Sequence, residues 1–303
     1  MFSVLHKKEN AHSEPIWTCC WPRHEAEQWD YIVSGSLDNS ANIWSWDDID
    51  LKPLHNLEGH QLGVISAVSS QDGLRVATSS IDCTIRVWDP LSGTPLFSTI
   101  DAGPVDSWTV ALTPDGVRLA TGSQGGKVHL YNVESGTKEA TFETGGKFIL
   151  SLCYSPDGAH LAVGSQDGGI YVFDLETGSN IHAEAHAMPI RSLKYARDGK
   201  LLFSASDDKY LKVHDAASSI SVVSTLSGHG SWVLSVDPSP DGRYLASGSA
   251  DSTVRIWDLA QKQQVHKFAE HTDQVWSVAF NHNGSRLLSV SEDKSIVIYN
   301  VPV

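Results

Sequence analysis

Cysteine and basic side chains are scarce in this chain of 303 residues. Of its four cysteines, Cys19 and Cys20 are adjacent and Cys83 and Cys153 stand alone, which matches neither a disulfide framework nor metal-ligand spacing. Lys and Arg number 22 against 36 Asp and Glu, giving a formal net charge of −14 with no basic run. A broad phosphate-binding surface needs clustered cations, so we expect no direct binding of nucleic acid.

Long apolar runs and helical periodicity are also absent. No stretch approaches the roughly 18 apolar residues of a membrane-spanning helix, and the opening "MFSVLHKKEN" lacks the apolar centre of a signal peptide. We therefore expect a soluble intracellular protein that does not bind membranes. Apolar residues instead alternate with small or polar ones in short runs, which is typical of β-strands.

Repetition is what the chain has in abundance. Six aspartates recur at nearly even intervals, and a further copy of the motif carries Gly125 where the aspartate would be. Successive positions lie 41 to 44 residues apart. A period sustained from end to end means that one supersecondary unit is used seven times. The aspartates are Asp38, Asp82, Asp167, Asp208, Asp251 and Asp293.

The sixth copy, "GHGSWVLSVDPSPDGRYLASGSADSTVRIWDLAQKQQVHKF", shows the unit most clearly. "VLSV", "RYLASGS", "TVRIWDL" and "QQVHKF" read as four short strands, and "SPDG" is a turn in which Gly takes a positive φ. Four strands with such turns make one blade of a β-propeller. The sequence thus predicts an all-β, seven-bladed propeller that occupies residues 1–303 as a single domain.

The last copy stops after its third strand, "SIVIYN". A blade without its outer strand exposes an unpaired edge, which promotes aggregation. Residues 2–9 occupy the place of a fourth strand that has no preceding partner. We predict that residues 2–9 complete the seventh blade, whose other three strands come from residues 273–301.

The chain resembles the WD-repeat family over its whole length. The Gly-His pair that opens the family's unit stands at Gly59-His60 and Gly228-His229, and its closing Trp-Asp pair stands at Trp88-Asp89 and Trp257-Asp258. The resemblance implies a hydrogen-bonded chain of His, Ser or Thr, Asp and Trp inside each blade. Buried polar groups of this kind are stable only when they satisfy one another.

Three blades carry this set in full. In the fifth and seventh blades His214 and Tyr299 replace Trp. The third blade has Gly103 and Gly125 in place of His and Asp, and the fourth has Gly145 and Val163 in place of His and Ser, so we expect these two blades to be softer. The full sets are His12, Ser34, Asp38 and Trp44; His60, Thr78, Asp82 and Trp88; and His229, Ser247, Asp251 and Trp257.

Asp, His and Ser are also the residues of catalytic triads, and the 14 histidines raise the question of a metal site. A constellation that recurs in at least five copies cannot be an active site in every copy. Most histidines belong to the repeat or lie singly. We therefore expect a non-catalytic protein without metal or cofactor.

One residue per blade should lie at the mouth of the central channel. Alignment of the copies on "VWSV" of the last one identifies this residue in each blade. The residue two positions earlier in each blade should lie beside it, and this second set includes Pro15, Gly63, Asp106 and Pro189. Trp and Arg are enriched in binding hot spots, and Arg191 is expected to pair with a carboxylate or carbonyl of a partner peptide. The alternative is that these Trp side chains pack between blades. The predicted protein-binding residues are Trp17, Ile65, Trp108, Phe148, Leu150, Arg191, Trp232, Leu234, Gln274 and Trp276.

Several segments that the repeat does not demand, among them "EGHQLGV", "GGKFILSLCYSPDG" and "GHGSWVLSV", resemble the small propeller subunits shared by two complexes. One is the superkiller complex, in which the propeller joins a tetratricopeptide-repeat scaffold and an RNA helicase in exosome-linked 3′-to-5′ mRNA decay. The other is the polymerase-associated factor complex of transcription elongation and histone modification. The resemblance implies a monomeric propeller within hetero-complexes of nucleus and cytoplasm.

Two other functions remain open. Another adaptor, such as a ubiquitin-ligase substrate receptor or a histone-peptide reader, would differ only in its partner. An enzyme using the channel would need a nucleophile, base and orienting group outside the repeat, and the sequence offers none. Trp21 and Trp29, in a longer first-blade loop, fit either internal packing or a secondary contact surface.

Overall fold

Seven antiparallel sheets follow one another around a closed ring. The computed structural model describes residues 1–103, 107–217 and 219–302, and the strands in these ranges form seven separate sheets, one per repeat. The first strand of the first blade contacts the first two strands of the seventh, which closes the ring. The predicted all-β, seven-bladed propeller is confirmed. No helix long and apolar enough to cross a bilayer occurs in the described ranges.

The strands are short and evenly distributed. In chain order they begin with β1 (Ser3–Lys8), β2 (Ile16–Cys20), β3 (Arg23–His24), β4 (Trp29–Ser36), β5 (Ala41–Trp46), β6 (Leu51–Leu57), β7 (Val64–Ser69), β8 (Val76–Ser80), β9 (Thr84–Trp88), β10 (Ile100–Asp101), β11 (Thr109–Leu112), β12 (Arg118–Gly122), β13 (Lys127–Asn132) and β14 (Lys138–Glu143). They continue with β15 (Ile149–Tyr154), β16 (His160–Ser165), β17 (Gly169–Asp174), β18 (Asn180–Glu184), β19 (Ile190–Tyr195), β20 (Leu201–Ser206), β21 (Leu211–Asp215), β22 (Ser221–Leu226), β23 (Val233–Pro238), β24 (Tyr244–Ser249), β25 (Val254–Asp258), β26 (Gln263–Phe268), β27 (Val275–Phe280), β28 (Arg286–Ser291) and β29 (Ile296–Asn300).

The second strand of a blade is buried on both faces, which explains its small residues. Every residue of β24 is buried. A Cβ built on Gly248 would lie 2.8 Å from Val275 Cγ1 of the next blade, so only glycine allows the two sheets this close. At the "SPDG"-type turns, Gly242 and its equivalents have φ between 66° and 77°, as that turn chemistry predicts.

The N-terminal strand closes the seventh blade, as predicted. β1 runs antiparallel to β29, with Ser3 opposite Asn300 and Lys8 opposite Ile296. Phe2 extends the contact, because its ring stacks on His266 at a centroid distance of 5.0 Å and meets the edge of Tyr244 at 5.7 Å. The strands β1 and β29, from the two ends of the ring's strand order, therefore share one sheet.

The apolar core is a ring of seven clusters, each built by two neighbouring blades. Trp257 of blade 6, for example, packs with Phe203 of blade 5. Each blade buries both its faces in this way, so no blade can form its core alone. Repeat proteins stabilised between units lose much of that stability when the ring is opened.

The first-blade insertion provides a second tie across the seam between blades 1 and 7. Arg23 lies 3.0 Å from His282 Nε2, and His282 Nδ1 lies 2.7 Å from Asp30 Oδ2. Trp21 is only 4% exposed, and Trp29 packs on Tyr31 with ring centroids 5.0 Å apart. Both tryptophans therefore belong to internal packing, not to a secondary contact surface.

Candidate functional site

Each full blade contains a short relay of hydrogen bonds, here described for blade 6. His229 Nδ1 lies 2.9 Å from Asp251 Oδ2, and His229 Nε2 lies 2.8 Å from Ser247 Oγ. The Trp257 indole N–H donates to the same hydroxyl at 2.9 Å. Asp251 also accepts from the backbone N–H of Gly230, which ties the relay to the loop between blades. The strands thus bring together side chains up to 28 residues apart along the chain.

The same relay joins the predicted sets in blades 1 and 2. There the Trp indole N–H donates to Ser34 or Thr78 at 2.8 Å. In blade 5 His214 Nε2 lies 2.8 Å from Ser204 Oγ, and in blade 7 the Tyr299 hydroxyl lies 3.0 Å from Ser289 Oγ. The remaining contacts are His12 with Asp38 and Ser34, His60 with Asp82 and Thr78, His186 with Asp208 and Ser204, and His271 with Asp293 and Ser289.

The relays are enclosed, which makes them scaffolding. Ser247 is fully buried and its hydroxyl already accepts from the Trp257 indole, so no substrate can reach it as a nucleophile. Burial alone would raise the pKa of Asp82, but hydrogen bonds from Thr84 and from the backbone N–H of Gln61 lower it to about 2. The carboxylate stays ionised as the fixed acceptor of the turn.

Blades 3 and 4 have reduced networks, in line with their substitutions. In blade 3 the Thr121 hydroxyl is buried without a hydrogen-bond partner among the described residues. In blade 4 Asp167 accepts from Ser165 at 2.5 Å, and Phe173 fills the aromatic position without a donor. Their expected softness stays a prediction.

His214 gives blade 5 a specific sensitivity to acid. Burial and the nearby His186 lower the pKa of His214 from 6.5 to about 4. Above pH 6.5 the ring is neutral in both the folded and the unfolded state. As the pH falls from about 6.5 to about 4, the unfolded chain binds a proton that the folded protein excludes, so on the order of 3 kcal/mol of stability is lost.

We expect His214→Gln, which keeps an amide donor within reach of Ser204 but does not titrate, to lose less stability on acidification than the wild type. Urea unfolding at pH 7 and at pH 5 measures the difference. His60, His186 and His229 also have lowered pKa values because of burial, but both proteins share them and their effect cancels. A stability difference that stays constant between the two pH values would contradict the assignment.

The predicted rim residues gather at one mouth of the channel. Trp17 is central: its ring centroid lies 4.7 Å from that of Trp276 and 6.5 Å from that of Trp108. Phe148 continues the row, 5.3 Å from Trp108. These four rings are half-buried against one another and are not part of the clusters between blades. Trp232 is more open, with 44% of its surface exposed.

Arg191 departs from the expectation. Its guanidinium makes a two-pronged ion pair with the buried carboxylate of Asp207, with N–O distances of 2.8 and 2.9 Å, and lies over the Trp232 ring. The expected free cation is therefore already paired inside the protein, because a half-buried charge is stable only with a partner. The Arg191 side chain therefore positions Trp232 and is not free to bind a carboxylate of a partner.

Two carboxylates of the rim were missed by sequence reasoning. Asp207 holds Arg191, and Glu292 accepts the Trp276 indole N–H at 2.6 Å. Both immediately precede the repeat aspartate of their blades, a position that alignment of the repeats identifies. The position points to the rim because the same turn carries it in every blade.

Other predicted rim residues are less exposed. Leu150 and Leu234 are 8% and 5% exposed and line the channel together with Trp17, Trp108 and Trp276. Their contact with a partner stays a prediction. Ile65 and Gln274 are half-buried. Asp106 lies outside the described residues.

The channel below the rim carries few ionisable groups. Lys194 and Asp237 face it together with Cys19 and Cys20. Burial raises the pKa of Cys20 to about 12, so its thiol is neutral. In the described ranges no three His, Cys, Asp or Glu side chains are placed to hold a metal ion.

The sequence of the chain matches a known family model at each blade. The model, WD domain, G-beta repeat, matches seven stretches: residues 3–45, 51–89, 96–132, 136–174, 179–215, 220–258 and 262–300. Together they cover nearly the whole chain, and each stretch joins the outer strand of one blade to the first three strands of the next. The chain belongs to the WD-repeat family.

Similar WD-repeat proteins occur in animals and plants. WD repeat-containing protein SL1-17 of Schistosoma mansoni is 44% identical over 299 residues, covering 99% of each chain. WD repeat-containing protein VIP3 of Arabidopsis thaliana is 38% identical over 80% of this chain and 79% of its own. THO complex subunit 3 of Arabidopsis thaliana is 30% identical over 99% of this chain and 81% of its own. WD-repeat propellers are suited to protein–protein interaction and are in general not catalytic.

Proposed function

We propose that this WD-repeat protein is a non-catalytic scaffold that binds a partner peptide at the aromatic rim. The observation that carries the proposal is the contiguous row of Trp276, Trp17, Trp108 and Phe148 at the channel mouth. Half-exposed aromatic clusters of this kind are rare on surfaces that bind nothing, and Trp dominates binding hot spots.

The rim also has an unsatisfied donor. The Trp17 indole N–H is buried and has no hydrogen-bond partner among the described residues, whereas Trp276 has Glu292. Because this N–H is inaccessible from the surface, a partner peptide would contact the exposed part of the Trp17 ring and not its N–H.

An apolar cavity beside the row offers space for an anchor side chain. It has a volume of about 270 Å³ and is lined by Ile65, Ile81, Cys83, Trp108 and Phe148, among others. A peptide that lies against the aromatic row and places an apolar side chain in this cavity would be fixed in position. The chain's net charge of −14 favours a partner that is not acidic.

More specifically, we propose a propeller of the WD repeat-containing protein 61 type. It would join the tetratricopeptide-repeat scaffold and the RNA helicase of the superkiller complex in the cytoplasm, and subunits of the polymerase-associated factor complex in the nucleus. The segments quoted above support this proposal. The relative named THO complex subunit 3 supports only the coarser proposal of a subunit in a multi-protein complex.

Affinity purification from native lysate with mass spectrometry tests the proposal. We expect the wild-type chain to recover the tetratricopeptide scaffold with the helicase, and the polymerase-associated factor subunits, and Trp232→Ala to lose them. Leu91→Ala is the matched control, because Leu91 is also 44% exposed but lies in a turn at the opposite face. Recovery of cullin adaptors or histones alone would contradict the assignment.

A further inference from the structure

The outer edge of blade 5 differs from the outer edges of the other blades. Among the outer strands that the structure describes, β22 alone contains neither a charged residue nor a proline. Natural sheets place Lys, other charges or Pro on edges to prevent pairing with foreign strands. The protecting residues elsewhere are Lys7 and Lys8 in β1, Lys52 and Pro53 in β6, Asp101 in β10, Lys138, Glu139 and Glu143 in β14, Glu184 in β18 and Lys267 in β26.

Strand β22 exposes apolar side chains that suit pairing with a further strand. Its sequence is SVVSTL, and Val222 and Val223 are 47% and 49% exposed. Both neighbouring valines are exposed because β22 is the outer strand of its sheet, and the register shifts opposite Val213 and His214. β-Branched side chains pack well on the pleated surface of an added strand.

The edge is also held in place before anything binds. Ile220 and Leu226, at the two ends of the strand, are buried to 4% and 2% exposure. Ile220 adopts φ 52°, where the corresponding turns of blades 2, 3 and 4 use glycine. A β-branched residue keeps such a conformation only when its buried side chain fixes it, so β22 is presented rigidly. A rigid edge loses little entropy when a partner adds to it.

We propose that β22 is a docking edge that accepts an extended, non-acidic segment of a different protein as a fifth strand of blade 5. β22 ends its sheet, so half of its backbone N–H and C=O groups face outwards, and only another strand matches that row of donors and acceptors. A second copy of this chain is disfavoured as the occupant, because each copy carries a net charge of −14 and a six-residue contact is too small to offset their repulsion.

The test uses a synthetic peptide with alternating Thr and Val, flanked by lysines, and the isotope-labelled full chain. NMR titration is expected to show saturable shifts of backbone amides confined to β22. The same peptide with N-methyl groups on the two amides that face the edge should bind roughly tenfold more weakly, because those hydrogen bonds cannot form. Binding that ignores N-methylation, or shifts at the rim instead of β22, would overturn the proposal.

Two protein variants complete the test. Val223→Pro removes a backbone donor and is expected to abolish the shifts, whereas Ile181→Lys, at a residue of similar exposure in β18, should leave them unchanged. If Val223→Pro fails to fold, Val223→Thr is used in its place. Val223→Thr keeps the backbone N–H and C=O groups of the edge and must therefore retain binding, so its loss of binding would contradict the proposal. A concentration-dependent dimer of the wild type that Val223→Pro dissociates would overturn the proposal in favour of a second copy.

Discussion

Deletion of residues 1–10 is expected to lower the melting temperature by about 10 °C or more. The deletion removes all of β1, the hydrogen bonds between Ser3–Lys8 and β29, and the packing of Phe2 on Tyr244 and His266. A loss on the order of 5 kcal/mol follows, and each kcal/mol shifts the midpoint by about 2 °C in a protein of this size. The exposed edge of β29 should then pair between molecules.

Circular dichroism during heating measures the shift, and size-exclusion chromatography with light scattering measures the oligomers. A chain that keeps residues 1–10 in scrambled order is the matched control for length and composition. Addition of a synthetic peptide of residues 1–10 should restore part of the melting temperature. A truncated chain that melts like the full-length protein would show that β1 does not hold the ring.

Two tryptophans at different positions of the repeat should respond in opposite ways to truncation. Trp257→Ala empties a site that is 1% exposed and leaves Ser247 without its indole donor, so we expect a loss of about 3–5 kcal/mol in the free energy of unfolding. Trp276→Ala removes a half-buried ring of the rim and should change the melting temperature by no more than about 2 °C. Its expected effect is a loss of roughly thirtyfold in affinity for the scaffold partner.

The pair is measured together, by thermal melting and by isothermal titration with the purified scaffold partner. Glu292→Gln is a useful third variant, because it keeps the shape of the side chain that accepts the Trp276 N–H but removes its charge. If Trp257→Ala and Trp276→Ala both unfold, the rim tryptophans are core residues. If Trp276→Ala binds normally, the partner uses another surface.

The fold was predictable because its period repeats in the residues that make turns and relays. Asp251 and its counterparts fix a turn, and His229, Ser247 and Trp257 must satisfy one another when buried, so spacing alone implied their contacts. Strand β1 was predictable by elimination, since one blade lacked an outer strand. Because the seven units share one residue pattern, the contacts inferred for one unit apply to the others.

Contacts that occur once could not be predicted in this way. Alignment placed Arg191 at the rim but gave no distance to Asp207, which lies in the turn after β20 and neutralises it. The Arg23, Asp30 and His282 contact joins two blades through an insertion that no other blade has. Burial of Leu150 and Leu234 depends on the width of the channel, which neighbouring blades set together.

The position of β1 has a consequence for biosynthesis. β1 leaves the ribosome before its partner β29, and the strands of six blades are made between them. At about 5–20 residues per second, the interval between the two is roughly 15 to 60 seconds. Throughout that time β1, which contains Val4 and Leu5, lacks its partner strand while the blades between them form one after another. Until β29 emerges, the nascent protein therefore depends on whatever in the cell shields that one strand.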